Sequence, residues 1–475
     1  MRARALLVCS AIGAAVLLTG IGAVSAETQG STPDSRGRIV RAALPDGAIQ
    51  HVIVVDLENE SFASTFGPTS PATYLNHTLV PQGELLEHYY ATGHVSLDNY
   101  IAQVSGQARN PLTSSDCLSA SFAGQFVDVL PGTLDPNQTR YPAQVDGSGC
   151  VYPAPSATSA GVMTIADQLD ALARGDDALA RGEGERHATP AWRVYAEDMG
   201  NNVTRDGGTP DPLGGTDCAH PAVGGADPTN GAVLGDQYAN RHNPLIYFHS
   251  IIDDPARCNT GVVPLGTVAV GANGAPDSFR GHLAQDLARS SMTPKFSFIV
   301  PNLCNDGHDS TPCKGLNTEG TNIGGLAGAD AWLEHWMPLI LSSPAYRSGN
   351  TLVVVTFDEG NPVTDTTSCC SEQAGPAQAS PGFSPLLPKL GITPLGPGTG
   401  GGQVGAVLLN ARYIVAGTDN KTGSYNHYSA LRSYEDLLGI HRGGADGYGH
   451  LGFAAQTGLV PFGPDVFNRR HFGND

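Results

Sequence analysis

The amino-acid sequence predicts an α/β fold with a mainly parallel central sheet flanked by helices, and three observations carry this. Short apolar runs recur at HVIVVDLE (51–58), WRVYAEDM (192–199), PLIYFHSI (244–251), KFSFIVPNL (295–303), TLVVVTFDEG (351–360) and AVLLNARYIVAG (406–417). Runs of this kind fit strands covered on both faces, as in parallel sheets. Helical patterns lie between them, at GVMTIADQLDALAR (161–174) and GADAWLEHWMPLILSS (328–343), and such alternation marks the α/β class. The 475 residues, 40% hydrophobic and 15% charged, supply a large core.

The elements before the first strand read differently. Arg2 and Arg4 precede an apolar run from Ala5 to Leu18, and Val24, Ser25 and Ala26 form a small-residue cleavage site. Residues 1–26 are therefore expected to be a secretory signal peptide. Residues 27–47, polar and rich in Gly and Pro, read as a flexible leader, and 48–475 as a single folded domain. No later stretch reaches the ~20 apolar residues needed to span a bilayer, so the expected product is secreted. Cys9 lies in the signal segment, leaving Cys117, Cys150, Cys218, Cys258, Cys304, Cys313, Cys369 and Cys370. An even set in an exported chain favours disulfides. Proximity in sequence suggests Cys117 with Cys150 and Cys218 with Cys258, the remaining four pairing among themselves. The formal charge of −19 repels nucleic acid and anionic lipid, so no nucleic-acid partner is expected, and an anionic substrate needs a local device such as a metal ion.

Three of the strands end in oxygen-bearing side chains. The first delivers Asp56, Glu58 and Asn59; the fourth runs into Asn302, Asn305, Asp306, His308 and Asp309; the fifth ends in Asp358 and Glu359. Carboxylates converging at one sheet edge repel one another and raise their own pKa values, which a divalent cation would relieve. Oxygen donors suit Mg, Ca or Mn, and added histidines open Zn or Fe. Long loops at 205–235 and 361–403 lie between strands and either shape substrate access or decorate the surface. In HVSLDNYIAQVSG (94–106), Ser96 precedes a helical pattern that Gly106 can end. Ser96 is then either an N-cap or a nucleophile placed where a helix N-terminus attracts phosphate.

Five ordered blocks, HVIVVDLENESF, HVSLDNYIAQVSG, FIVPNLCNDGHD, LVVVTFDEG and YNHYSALRSYEDLLGI, resemble the phosphoesterase family of bacterial acid phosphatases and phosphatidylcholine-cleaving phospholipases C, within the alkaline phosphatase superfamily. The resemblance implies an alkaline phosphatase-like fold and a hydrolase acting on phosphoric esters. It implies one or two divalent metal ions held by Glu58, Asn59, Asp358 and Glu359, with Ser96 as nucleophile in a phosphoseryl mechanism. Asn99 would hold a phosphate oxygen. His308 and His427 would be metal ligands, phosphate contacts or the acid for the leaving group, with His94 a further substrate contact. Two departures matter. Glu359 stands where two-metal members carry His, which favours an oxygen-rich, single-metal site. Glu60-Ser61-Phe62-Ala63 replaces the Arg-Ser-Phe-Asp of phospholipases C, which favours a phosphomonoesterase of acid phosphatase type. A phospholipase C is the alternative, and a secreted binding protein that keeps the fold without turnover is the alternative of another class.

Overall fold

The computed structural model describes residues 41–134, 143–156, 161–174, 190–308, 323–382, 384–391, 393 and 398–469. The expected signal peptide, most of the leader, Asp309 and Cys313 lie outside the described residues.

An eight-stranded sheet forms the centre. Its strands are β1 (His51–Leu57), β2 (Glu84–Leu86), β3 (Trp192–Ala196), β4 (Val262–Pro264), β5 (Phe296–Val300), β6 (Thr351–Phe357), β7 (Ala406–Leu409) and β8 (Thr418–Asn420), in the order β8-β2-β7-β6-β1-β5-β3-β4. The block β6-β1-β5-β3-β4 is parallel throughout, and β7 runs antiparallel to both β6 and β2. The fold is thus α/β around a mainly parallel sheet. Every residue of β1 and β6 is buried, which is why these strands read as unbroken apolar runs. Four longer helices are α1 (Ser96–Ser105), α2 (Ile165–Arg174), α3 (Gly325–Ser342) and α4 (His427–Leu437). Among the described residues no helix is long and apolar enough to cross a membrane.

Two expected elements are corrected. The run 244–251 is not a strand: Pro244–Tyr247 is a 3₁₀ turn and His249–Ile252 begins a short helix. Pro244 fixes its own φ and has no N–H for a ladder; Leu245, Ile246 and Tyr247 are buried outside any strand, and Phe248 makes only an isolated parallel bridge to Tyr152. Periodicity cannot separate this from a buried strand. The sixth run ends at Leu409 because the Asn410 carboxamide accepts the N–H groups of Arg412 and Tyr413 and so turns the chain.

The folded region also starts earlier than residue 48. Ala42 N–H donates to Asp436 on α4 at 2.9 Å, and Ala43 N–H to the Phe462 carbonyl. Disulfides join Cys117 to Cys150 and Cys218 to Cys258 as expected, and Cys369 to its neighbour Cys370.

Candidate active site

The parallel register brings the ends of β1, β5 and β6 to one edge. Past the last paired residues, Asp358 N–H still donates to the Leu57 carbonyl, and Glu58 N–H donates to the Asp306 carbonyl at 2.7 Å. Glu58, Asp306 and Asp358 are thereby held on adjoining chain segments, each almost wholly buried. Asn59 turns the chain away with φ 55°, a conformation that asparagine tolerates better than most residues.

Helix α1 closes the site, and it is buried along its whole length despite carrying Ser96, Asp98, Asn99, Gln103 and Ser105. Most of these polar side chains are tied into hydrogen bonds. Gln103 donates to Asp56 at 2.6 Å, so Asp56 faces the helix. Ser96 is the first helical residue rather than the N-cap, and its Oγ donates to Glu58 Oε2 at 2.8 Å. The capping role falls to Asp116, whose Oδ1 accepts the Leu97 N–H. Val95, just before the serine, has φ 93°, a costly backbone conformation for a β-branched residue. At the other end Gly106, φ 67°, closes the helix, and a Cβ there would meet the Leu451 carbonyl oxygen at 2.3 Å.

The turn that carries Val95 is overdetermined. Glu359 Oε1 accepts the Val95 N–H at 3.1 Å, and Glu359 Oε2 shares a proton with His94 Nδ1 across 2.8 Å. Asn99 Oδ1 accepts from Thr92 N–H, Thr92 Oγ1 and Gly93 N–H, while its Nδ2 donates to the Gly93 and Val95 carbonyls. Asn99 and Glu359, expected at the phosphate and the metal, here fix the backbone in front of Ser96. His427 is also committed: its Nε2 donates to the Asp358 carbonyl at 2.7 Å and its Nδ1 faces Tyr89 Oη at 3.2 Å. Burial lowers His427 to about 4 and His94 to about 3, Arg109 adding to the effect on His94. His308 is exposed, and its N–H donates to Asp306 Oδ1.

One residue absent from the sequence-based set is central. His242, on the short turn Asn240–His242, places Nε2 3.0 Å from Glu58 Oε1 and Nδ1 3.7 Å from Asp306 Oδ2, and its ring stacks on Tyr100 of α1. Close as they are, His242 Nε2, Glu58 Oε1 and Asp306 Oδ2 make no hydrogen bond, and neither does Asp358 Oδ2. The first three residues each offer a ligand atom within 4.8 Å of the others. Buried, converging and unpartnered atoms of this kind could serve as the donor set of a cation site. One imidazole among carboxylates fits a divalent ion such as Mn, Zn or Fe.

The electrostatics agree. Desolvation pushes the Glu58 carboxyl well above its usual range, with Asp358 and Asp306 adding repulsion. Burial likewise raises Asp306 to about 8 and Asp358 to about 7. His242 is held neutral by burial, Arg241 and His308, which leaves its ring able to ligate. Arg241 supplies nearby positive charge; its Nη1 donates to the Asn230 carbonyl and its Nε lies 3.9 Å from Asp116 Oδ2.

Fold and site together define an α/β protein whose central strands converge on a buried serine, carboxylates and an imidazole. The chain belongs to the Phosphoesterase family, which matches residues 70–441. It is similar to a phosphate-repressible acid phosphatase of Penicillium chrysogenum, 30% identical over 128 residues, 26% of this chain and 23% of that one. An acid phosphatase of Aspergillus fumigatus is 24% identical over 281 residues, 59% of this chain and 39% of that one. The aligned segments thus span well under two thirds of those relatives. Among solved structures, a protein in the alkaline phosphatase superfamily from Vibrio parahaemolyticus matches at 12% identity and TM-score 0.38, covering 84% of this chain and 69% of that one.

Proposed function

We propose that this chain is a secreted, metal-dependent phosphoric ester hydrolase, a phosphomonoesterase of acid phosphatase type working through a phosphoseryl intermediate. The observation that supports it best is the Ser96 Oγ hydrogen bond to Glu58, made inside a group of buried carboxylates with unpartnered oxygens. Similarity to acid phosphatases supports a phosphoric ester as substrate, and disulfides accord with export.

Glu58, His242, Asp306 and Asp358 would hold the cation, which when bound offsets charge on the phosphoryl oxygens and on the serine oxygen. Ser96 Oγ passes its proton to Glu58 Oε2 and forms a bond to phosphorus as the bond from phosphorus to the alcohol oxygen breaks. The departing oxygen takes up a proton, for which exposed His308 is the candidate donor. Water then attacks the phosphoserine and returns a proton to His308, the Oγ–P bond breaks, and Ser96 takes its proton back from Glu58 as phosphate leaves. Asn99, Glu359 and His94 act before either step, by holding Val95 and so the direction of Ser96.

The test is an assay of chelator-stripped and metal-reloaded protein on p-nitrophenyl phosphate, bis-p-nitrophenyl phosphate and phosphatidylcholine. Stripping should abolish turnover, reloading should restore it, and the monoester should be the best substrate. Ser96→Ala should lower kcat by about 10³-fold or more. Full activity in Ser96→Ala removes the nucleophile, indifference to chelation removes the metal, and preference for phosphatidylcholine makes the chain a phospholipase C.

A further inference from the structure

We propose a second divalent-cation site, structural in role, formed by Asp211, Asp217 and His282. The first two flank the turn of a small hairpin, Thr209–Pro210 paired with Thr216–Asp217, and the third opens the helix His282–Leu287. Each offers a ligand atom within 4.8 Å of the other two. His282 Nε2 lies 2.8 Å from Asp211 Oδ2, while Asp211 Oδ1 is turned aside by the Leu213 N–H. Asp217 is only 9% exposed and its Oδ1 has no hydrogen-bond partner. A buried carboxylate oxygen without a donor, facing a second carboxylate and an imidazole, calls for a cation.

The surrounding charge agrees with a +2 ion. Two carboxylates beside one imidazole outnumber the nearby positive charge, since Arg193, which approaches His282 Nδ1 at 3.4 Å, is shared with Asp286. The side chains of Asp211 and His282 are only 3% and 14% exposed, so all three groups are withdrawn from bulk water. Nitrogen beside oxygen favours Zn²⁺ or Mn²⁺ over Ca²⁺. The ion would tie the hairpin to a helix distant in sequence, next to the Cys218–Cys258 disulfide.

Zn²⁺ itself is the probe. The full chain carrying Glu58→Gln and Asp358→Asn, which cripple the catalytic cluster, is stripped with chelator, dialysed against Zn²⁺ and measured for bound metal and for Tm. One equivalent should remain bound and Tm should rise on loading. Adding Asp217→Asn, which preserves shape, should remove that equivalent and the rise, and His282→Gln should do the same. Co²⁺ in place of Zn²⁺ should show visible absorption that His282→Gln abolishes. Metal content and Tm shift that are unchanged by Asp217→Asn, or absent in its parent, would overturn the site.

Discussion

At the scale of single residues, Glu58, Ser96 and Asp358 could be singled out from sequence because strand ends and a serine near a helix start are local patterns. His242 was invisible because it stands in ANRHNPLIY, a segment whose apolar half reads as a strand, and only tertiary folding brings its ring to Glu58. Glu359 is the residue whose sequence position and contacts pull apart. Its type and position suit a metal ligand, yet both its oxygens serve the turn at His94 and Val95. These two findings separate the residues experimentally. Glu359→Gln should lower kcat by about 10- to 10²-fold through a misdirected serine, with the metal concentration for half-maximal activity unchanged. Asp306→Asn should raise that metal concentration. Equal rises in the two variants would return Glu359 to the metal.

At the scale of elements, four of the five parallel strands were readable because burial on both faces leaves mainly apolar side chains; β4, only three residues long, was too short to show, and the segment at 244–251 has the same composition and a different partner. The turn before α1 could not be read at all, since nothing in HVSLDN announces a valine with φ 93°. A strained residue of this kind costs about 1–3 kcal/mol, and burial of the valine side chain returns about 1.5–3 kcal/mol. Val95→Ala would lose the burial and keep the strain; Val95→Gly would lose both. Glycine is ordinarily about 0.5–1 kcal/mol worse than alanine in regular structure. Here the order should invert, with the Tm of Val95→Gly above that of Val95→Ala and a lower kcat than the parent as the serine turn loosens. The usual order, alanine above glycine, would show that the strain is not there.

At the scale of the whole molecule, acidity was legible from composition, but which carboxylates are buried was not. Glu84 on β2 is 1% exposed, accepts one hydrogen bond from Asn468 and lies near Asp465 and Asp419. Burial, then those two charges, raise its carboxyl from an ordinary 4.5 to about 8. The sign follows from proton counting. Between pH 4.5 and 8 the folded chain keeps a proton at Glu84 that the unfolded chain has released, so stability falls as pH rises through this window, by at most about 1.4 kcal/mol per pH unit for one group. Below 4.5 both states are protonated and the contribution is flat; above 8 both are ionised and the penalty is complete. Glu84→Gln is uncharged throughout and keeps an acceptor for Asn468. Its Tm should match the parent near pH 4.5 and exceed it by several degrees at pH 8, measured on chelator-stripped protein so that the carboxylates around Ser96 behave alike in both. Parallel declines of the two Tm curves would place the alkaline instability elsewhere, with Asp306 and Asp358 the next groups to neutralise.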